Sequence, residues 1–118
     1  MTAKITNKHG NINIDDNVIA SVAGIAAMEC YGLVGMASKN ATEGLVELLK
    51  GENLTKGVKV YSEDDRIVID LYIVVQFGMS ISVVASNIIE KVKYTIENTT
   101  GLQVDKVNVN VQGVRVQN

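Results

Sequence analysis

Few side chains in this sequence have the chemistry of a catalytic or metal-binding group. His9 is the only histidine and Cys30 the only cysteine, and neither has a neighbour that would complete a metal site or a nucleophile–base pair. We expect a His9 side chain that is solvated or locally hydrogen-bonded, and a Cys30 that packs as a small apolar residue. The acidic run Glu63-Asp64-Asp65 lacks the spaced oxygen ligands and the glycine of a calcium loop, so a reverse turn explains it better. The sequence therefore predicts no catalytic residue, no metal ligand and no bound cofactor.

One short motif keeps a binding function open. Gly32-Leu33-Val34-Gly35 matches the Gly-x-x-Gly of KH modules, which clamp a nucleotide backbone. Its two central residues are apolar, whereas contacts with phosphates favour basic or polar side chains. The chain has 11 basic and 13 acidic residues and a net charge of −2, without a block of like charge, so we expect no broad basic surface for nucleic acid. A KH-like nucleic-acid-binding module is the alternative function.

The stretch from Gly57 to Phe77 predicts the centre of the fold. Two runs of β-branched and aromatic residues flank the acidic turn, which is typical of a β-hairpin. In the second run, six apolar residues alternate at period 2 and must share one face of a sheet: Ile67, Ile69, Leu71, Ile73, Val75 and Phe77. We expect this face to be the inner wall of the core.

The other face of the same strand is only half apolar. This composition predicts partial cover by a helix, a loop or a second copy of the chain. Its candidate interaction residues are Val68, Tyr72 and Val74. Tyr72 is the best single contact, because an aromatic ring with a hydroxyl suits an interface.

Helical periodicity predicts about three helices. The first begins at Asp15 or Asp16, where a carboxylate can cap it, and ends near Tyr31. The second is shorter, lies within residues 40–51 and has Gly51 beyond its end; the third can be capped by Ser80 or Ser82 and extends to about Thr99. The first helix is expected to pack through Val18, Ile19, Val22, Ile25 and Ala26, and the third through Ile81, Val84, Ala85, Ile88, Val92 and Ile96.

Shorter strands complete the predicted fold. Residues 10–14 alternate as a strand, and a second strand follows Gly32, which suits a left-handed turn. The last strand, Leu102–Val116, changes the phase of its alternation at Asp105-Lys106 and at Gly113, where we expect bends or bulges. The predicted class is α+β, with two layers: a mixed sheet built on the central hairpin, and helices packed mainly on one of its faces.

Length and composition predict one domain. A chain of 118 residues encloses a single core; we expect a flexible segment over residues 1–9 and the domain over residues 10–118. No apolar run resembles a signal peptide or a membrane span, and a single cysteine fits a reducing compartment. We therefore expect a cytoplasmic protein without direct membrane insertion.

Two sets of residues carry a recognisable family pattern. The first is Gly10-x-Ile12-x-Ile14, Val18-Ile19-x-x-Val22-Ala23-x-x-Ala26-x-x-Glu29-x-x-Gly32 and Gly35-Met36. The second is Gly57-Val58-x-Val60, Asp70-Leu71-Tyr72, Phe77-Gly78, Glu97-x-x-x-Gly101-Leu102 and Val107-Asn108-Val109-x-Val111. Together they resemble the alkaline shock protein family, also called envelope stress response proteins, and most of all its YloU-like branch in Gram-positive bacteria.

The resemblance implies a function without catalysis. Members of this family are connected with cell-envelope homeostasis and stress, and they act through protein–protein interaction or self-assembly. The implied partners are a second copy of the chain, in a homo-oligomer, and a membrane-anchored family relative. Binding to such a relative would place the protein at the inner face of the cell membrane.

Overall fold

The computed structural model describes residues 2–38, 48–49 and 51–116. In chain order the elements are β1 (Thr2–Asn7), β2 (Gly10–Asp15), α1 (Asp16–Met28), β3 (Leu33–Ala37), β4 (Leu48–Leu49), a 3₁₀ helix (Gly51–Gly57), β5 (Val58–Glu63), β6 (Arg66–Gln76), α2 (Ile81–Thr100) and β7 (Gln103–Arg115). The described residues thus form two α-helices, where about three were expected. Most of the expected second helix, over residues 40–51, lies outside the described residues, and Leu48–Leu49 form a strand because they pair with β3.

The predicted hairpin is the centre of a five-stranded mixed sheet. β5 pairs antiparallel with residues 66–71 of β6, and β3 pairs antiparallel with residues 73–75. β7 runs parallel to β6 over residues 66–76. Since β5 and β3 use one edge of β6, β7 occupies the other edge. The central position of β6 explains why it is the most apolar strand of the sheet.

The inner face of β6 forms the core, as the alternation predicts. Five of its six expected residues are at most 1% exposed: Ile67, Ile69, Leu71, Ile73 and Val75. Both helices pack on this face, because the same buried cluster contains Ile19 of α1 and Ile88 of α2. Phe77 was wrongly assigned to this buried face. Strand β6 ends at Gln76, the chain turns at Gly78, and the Phe77 side chain is 59% exposed.

Helix α1 buries its small residues and exposes two of its large ones. The carboxylate of Asp15 caps the helix by accepting the Asn17 N–H at 2.8 Å, and the helix ends at Met28 instead of near Tyr31. Val18 and Ile25, which we expected to pack, are 51% and 58% exposed. The buried residues are Ile19, Ala20, Ala23, Gly24, Ala26 and Ala27. The helix lies close to its neighbours there: a Cβ on Gly24 would be in van der Waals contact with Leu54, 3.4 Å from its Cβ.

Residues 2–15 form a hairpin that the sequence predicts only in part. Strand β2 was expected, but β1 lies in the segment for which we expected flexibility, and the two strands pair along their full length. Ala3 is fully buried, and the Lys4 N–H donates to the Asp64 carbonyl at 2.8 Å. In the turn, the Asn7 side chain accepts the backbone N–H of His9 at 2.8 Å. Burial of Ala3 and the bond to Asp64 attach β1 to the central hairpin.

Helix α2 and strand β7 follow the sequence closely. Gly101 ends α2 with a φ of 79°, and its N–H donates to the Glu97 carbonyl at 3.0 Å. The pairing of β7 with β6 shifts register between Val104 and Lys106 and between Val111 and Gly113, which confirms both expected bulges. Four residues of the expected apolar stripe of α2 are buried: Val84, Ile88, Val92 and Ile96. Ile81 was wrongly assigned to the buried stripe; it begins the helix and is 45% exposed.

Candidate interaction surface

The outer face of the sheet, opposite the helices, carries the candidate surface. Strand register places side chains of three strands beside one another there, because directly paired residues point to the same face. Lys59 pairs with Asp70 and Tyr61 with Val68, while β7 places Asn108 and Asn110 beside β6. The open sheet face is defined by these residues and their neighbour on β6: Lys59, Tyr61, Val68, Asp70, Tyr72, Asn108 and Asn110. Neither helix of the described residues covers it, because both pack on the inner face.

The structure brings together two of the three predicted contact residues. Val68 and Tyr72 are half-buried on the open sheet face. Val74 points to the same side but is 0% exposed, so it is no accessible contact. It pairs with Gly35, and a Cβ on Gly35 would lie 3.0 Å from Cδ2 of Leu48. This end of the outer face is therefore crowded by β4, and the accessible part centres on Tyr72.

Polar contacts hold the side chains around Tyr72 in place. Nδ2 of Asn108 donates to Oδ1 of Asp70 at 2.8 Å, and Nδ2 of Asn110 donates to the Leu71 carbonyl at 3.2 Å. Nζ of Lys59 lies 5.1 Å from the centroid of the Tyr61 ring, within the range of a cation–π contact. Interaction with the neighbouring Tyr61 side chain raises the pKa of Lys59. The surface is therefore preformed, with fixed polar groups around an aromatic and aliphatic centre.

An ion pair borders the open sheet face at the start of β6. Nη2 of Arg66 lies 2.9 Å from Oδ1 of Asp105, and Nε of Arg66 lies 3.1 Å from Oδ2 of Asp105. The hydrogen bond from Arg66 lowers the pKa of the Asp105 carboxyl, and the bond to Asp105 raises the pKa of Arg66. Both side chains are solvent-accessible. The pair fixes the edge of the surface and adds little stability, as is usual for an exposed ion pair.

The residues with potential catalytic or metal-binding side chains do not lie together at one site. His9 lies exposed in the β1–β2 turn. Sγ of Cys30 donates to the Ala26 carbonyl at 3.7 Å, and burial raises the pKa of its thiol, which disfavours the reactive thiolate. Residues 2–38, 48–49 and 51–116 contain no group of three side chains that could hold a metal ion. In the same ranges, no helix is both long and apolar enough to cross a bilayer.

The Gly-x-x-Gly segment does not form an exposed loop. Gly32 occupies a turn with a φ of 92°, but Gly35 is a buried residue within β3. The two central residues continue the strand and are half-buried. A phosphate clamp needs free backbone N–H groups in a loop, and this geometry does not present one.

Sequence reasoning missed the residues that surround Tyr72. Tyr61, Lys59, Asn108 and Asn110 were not singled out, although one signal was available for the first two. Counting outward from the acidic turn pairs Glu63 with Arg66 and therefore Tyr61 with Val68, as observed. The position of β7 beside β6 has no comparable local signal, because a parallel partner is chosen by the whole fold.

Comparison with known proteins identifies the family. The chain matches the alkaline shock protein family, described as having a cell envelope-related function, over residues 4–116. The chain belongs to this family. It is 54% identical over 119 residues to the uncharacterized protein YloU of Bacillus subtilis strain 168, covering 100% of this chain and 99% of that protein. This confirms the expected family.

More distant relatives include a protein named for stress. The uncharacterized protein Spy1614 of Streptococcus pyogenes serotype M6 is 48% identical over 117 residues, covering 98% of this chain and 97% of that protein. A stress response regulator gls24 homolog of Streptococcus pyogenes serotype M3 is 26% identical over 108 residues, covering 92% of this chain and 60% of that protein. The family's link to stress and the envelope thus matches the expectation at this coarse level.

Solved structures share the fold. A MamM C-terminal domain superposes with a TM-score of 0.51 at 13% identity, covering 87% of this chain and 100% of that chain. A zinc form of the same domain gives a TM-score of 0.53 at 12% identity, covering 86% of this chain and 88% of that chain. At such low identity the likeness extends to the fold alone.

Proposed function

We propose that this protein is a non-enzymatic interaction module of cell-envelope homeostasis and stress response, and that its open sheet face binds a protein partner. One observation carries the proposal: the helices cover one face of the sheet and leave Val68 and Tyr72 accessible on the other. The family's cell envelope-related description and the stress-regulator name of a relative supply the process. A membrane-anchored relative is the proposed partner, and it would hold the protein at the inner face of the cell membrane.

The side chains of the open sheet face suit contact better than reaction. Tyr72 offers a large apolar ring and one hydroxyl, the composition that is enriched at the energetic centre of interfaces. Asp70 accepts a hydrogen bond from Asn108, which orients its carboxylate on this surface. Fixed polar groups around an apolar centre reduce the ordering cost of binding.

Tyr72→Asp tests this surface, with Tyr94→Asp as the matched control. Tyr94 is 60% exposed on α2, so both variants place an aspartate where an accessible tyrosine stood, on different sides of the sheet. Tagged wild type and both variants would be crosslinked in the native host and purified, and circular dichroism would verify that each is folded. We expect wild type and Tyr94→Asp to recover the same membrane protein and Tyr72→Asp to lose it. Unchanged recovery by folded Tyr72→Asp would refute the proposal.

Nuclease treatment in the same experiment distinguishes the proposed protein–protein interaction from the alternative function, nucleic-acid binding. Half of each sample would be treated with nuclease before purification. Nucleic-acid binding through residues 32–35 predicts that the recovered material disappears on treatment and that binding falls steeply with salt. Protein-mediated recovery should withstand nuclease.

A further inference from the structure

Strand β7 forms one edge of the five-stranded sheet. It pairs with β6 on one side, and among the described residues no strand pairs with its other side. A strand edge without a neighbour presents main-chain N–H and C=O groups that can hydrogen-bond another extended chain. Which residues of β7 present these groups therefore decides whether the edge can bind.

Two hydrogen bonds show which residues of β7 face away from β6. The Gln103 N–H donates to the Asp65 carbonyl at 2.8 Å, toward β6. The next N–H, of Val104, donates to Oε2 of Glu97 at 3.0 Å, on the opposite side. Within one strand, residues whose side chains share a face direct their N–H and C=O groups to the same edge, because both directions alternate with period 2. Val104 has its side chain in the core, so core-facing residues of β7 point their main-chain groups away from β6.

Three alternate residues of β7 have such outward main-chain groups. Val107, Val109 and Val111 pair with core-facing residues of β6, and we call these three residues the open edge. Neither register shift of β7 lies inside it, and the chain contains no proline, so none of the usual devices that protect a strand edge interrupts it. In the described part of the chain no strand or turn bonds to these groups. The open edge therefore offers three N–H donors and three C=O acceptors in the spacing of a β-ladder.

An apolar groove lies beneath the open edge, between β7 and α2. The side chains of Val109 and Val111 face the core but are only half-buried, and so is Ile89 of α2. Ile89 lies on the side of α2 that faces β7, because Glu97, eight residues further along the same side, reaches a β7 N–H. Every second residue of an added strand would cover these side chains. Main-chain bonds combined with apolar contacts at alternate positions are the strand-addition mode of peptide recognition.

Two exposed lysines lie where the groove begins. Lys106 precedes the open edge, and Lys93 lies one turn before Glu97 on α2. Besides Arg66, whose hydrogen bond is the main cause, the charge of Lys93 also lowers the pKa of the Asp105 carboxyl, so Lys93 lies near this end of β7. The acids beside the lysines are already engaged, Asp105 by Arg66 and Glu97 by a backbone N–H. Among the described residues neither lysine forms an ion pair, so an acidic residue of a partner would suit them.

We propose that the open edge binds an extended segment of a different protein, with apolar residues at alternate positions and an acidic residue beside Lys93 and Lys106. The segment adds a strand to β7, bonds to the three outward N–H and C=O pairs and fills the groove above Ile89. The inference goes beyond the proposed function, because it uses the edge of the sheet instead of the open sheet face and recognises the partner through its main chain.

Charge argues for a different protein over a second copy. Two β7 edges paired about a two-fold axis would run antiparallel, so the lysine end of one chain would lie against the far end of its partner's groove. That far end is uncharged, because residues 81–89 of α2 and 107–114 of β7 contain neither an acid nor a base. A second copy therefore cannot supply the anion that the two lysines lack.

Amide hydrogen exchange, followed by NMR on the free protein, tests the direction of the main-chain groups. The amides of Val107, Val109 and Val111 should exchange faster than those of Asn108 and Asn110, which point toward β6. Equal protection of both sets, at a concentration where light scattering gives the 12.7 kDa monomer, would mean that the chain covers its own edge and would overturn the proposal. Protection that appears only as the protein concentration rises would assign the edge to a second copy and overturn the proposed partner.

Synthetic peptides test the occupant. The probes are two fluorescent peptides of alternating valine and threonine with two glutamates, placed at the N-terminal end of one and the C-terminal end of the other to cover both strand directions. We expect one of them to bind in fluorescence anisotropy and to protect the three amides of the open edge from exchange. A peptide of the same composition with its valines together should bind about tenfold or more weakly, since it cannot place an apolar residue at every second position. Failure of both probes at about millimolar concentration would overturn the proposal.

Val109→Pro removes one outward N–H and leaves the bonds to β6 intact, because proline is tolerated where the N–H of an edge strand faces solvent. It should stay folded by circular dichroism and bind the peptide about tenfold or more weakly. Val109→Ala, which shortens the side chain but keeps the N–H, is the matched control and should lose less affinity. Unchanged peptide binding by folded Val109→Pro would overturn the proposal.

A charge-reversed variant tests the acidic end of the segment without touching the strand. Lys93→Glu/Lys106→Glu changes two exposed side chains, so it should remain folded. It should bind the glutamate peptides more weakly and bind matching peptides with lysines in place of the glutamates more tightly than wild type does. Equal binding of both peptide types by wild type and variant would contradict the proposed acidic partner. Tyr72→Asp should bind the peptides normally, so the two proposals can fail separately.

Discussion

Gly32 and Gly78 offer a matched test of how tightly the turn before β3 is packed. Both have a φ of 92°, where a Cβ costs roughly 1–2 kcal/mol. Their surroundings differ: a Cβ on Gly78 would meet no atom within 4 Å, whereas one on Gly32 would lie 2.6 Å from Cγ2 of Val84. Gly32→Ala therefore combines backbone strain with overpacking, and Gly78→Ala brings the strain alone.

The expected losses of stability follow from the backbone strain and the overpacking. Gly78→Ala should lower the free energy of unfolding by roughly 1–2 kcal/mol. Gly32→Ala should lower it by roughly 2–5 kcal/mol, because overpacking a well-packed core adds about 1–3 kcal/mol. The free energy of unfolding of a whole domain is only about 5–15 kcal/mol. The Gly32→Ala variant should therefore be measurably less stable than Gly78→Ala. Urea unfolding followed by circular dichroism measures both values, at the same protein concentration for wild type and both variants.

A double variant separates strain from contact. Val84→Ala removes the methyl groups that a Cβ on residue 32 would meet. Gly32→Ala/Val84→Ala should therefore lose less stability than the sum of the two single losses, with a coupling of about 0.5–3 kcal/mol. Equal losses for Gly32→Ala and Gly78→Ala, together with additive behaviour of the double variant, would refute the close approach of Gly32 to α2.

Three other predictions concern local chemistry. Asp15→Ala should lower the free energy of unfolding by about 1 kcal/mol in urea melts, because the Asn17 N–H loses its cap; no change would mean that water replaces the cap. Arg66 lowers the pKa of Asp105, so the ion pair stabilises the fold at neutral pH and its contribution is lost as pH falls below about 3.9 and through the lowered pKa. Any stability advantage of wild type over Asp105→Asn should therefore shrink in acid, and an advantage that grows there would contradict this sign. Burial raises the pKa of the Cys30 thiol, so a thiol reagent at neutral pH should label native protein more slowly than urea-unfolded protein; equal rates would show an accessible thiolate.

The elements that the sequence predicts best are those with strong local signals. The alternation of β6 needs no knowledge of its partners, because period 2 alone separates its two faces. The bulges of β7 were also predictable, since an extra residue at Asp105 or Gln112 changes the phase of the apolar positions. Gly101 ends α2 as expected, with the left-handed angle that glycine adopts without strain.

Packing distance was not predictable from apolar patterns. In α1 the large residues Val18 and Ile25 fit an amphipathic stripe, but the helix packs through its alanines and Gly24. Which face of a helix is buried depends on how closely its neighbours approach, and the 3.4 Å distance between a Cβ on Gly24 and Leu54 records that approach. Strand β1 was missed for a related reason: its burial depends on the central hairpin, not on its own few apolar residues.

The misassigned residues at the end of β6 mark a limit of periodicity. Phe77 extends the alternation of β6 by one step, and Ile81 extends the stripe of α2 by one turn, so both carry the pattern of buried residues while both are exposed in a single chain. Periodicity indicates that a side chain is shielded from water, but it does not distinguish the chain's own core from a partner. Both residues lie where a regular element stops or starts: Phe77 follows the last residue of β6, and Ile81 is the first residue of α2. The apolar pattern therefore continues one position past the element that buries it, because the turn at Gly78, with its φ of 92°, redirects the chain before either side chain reaches the core.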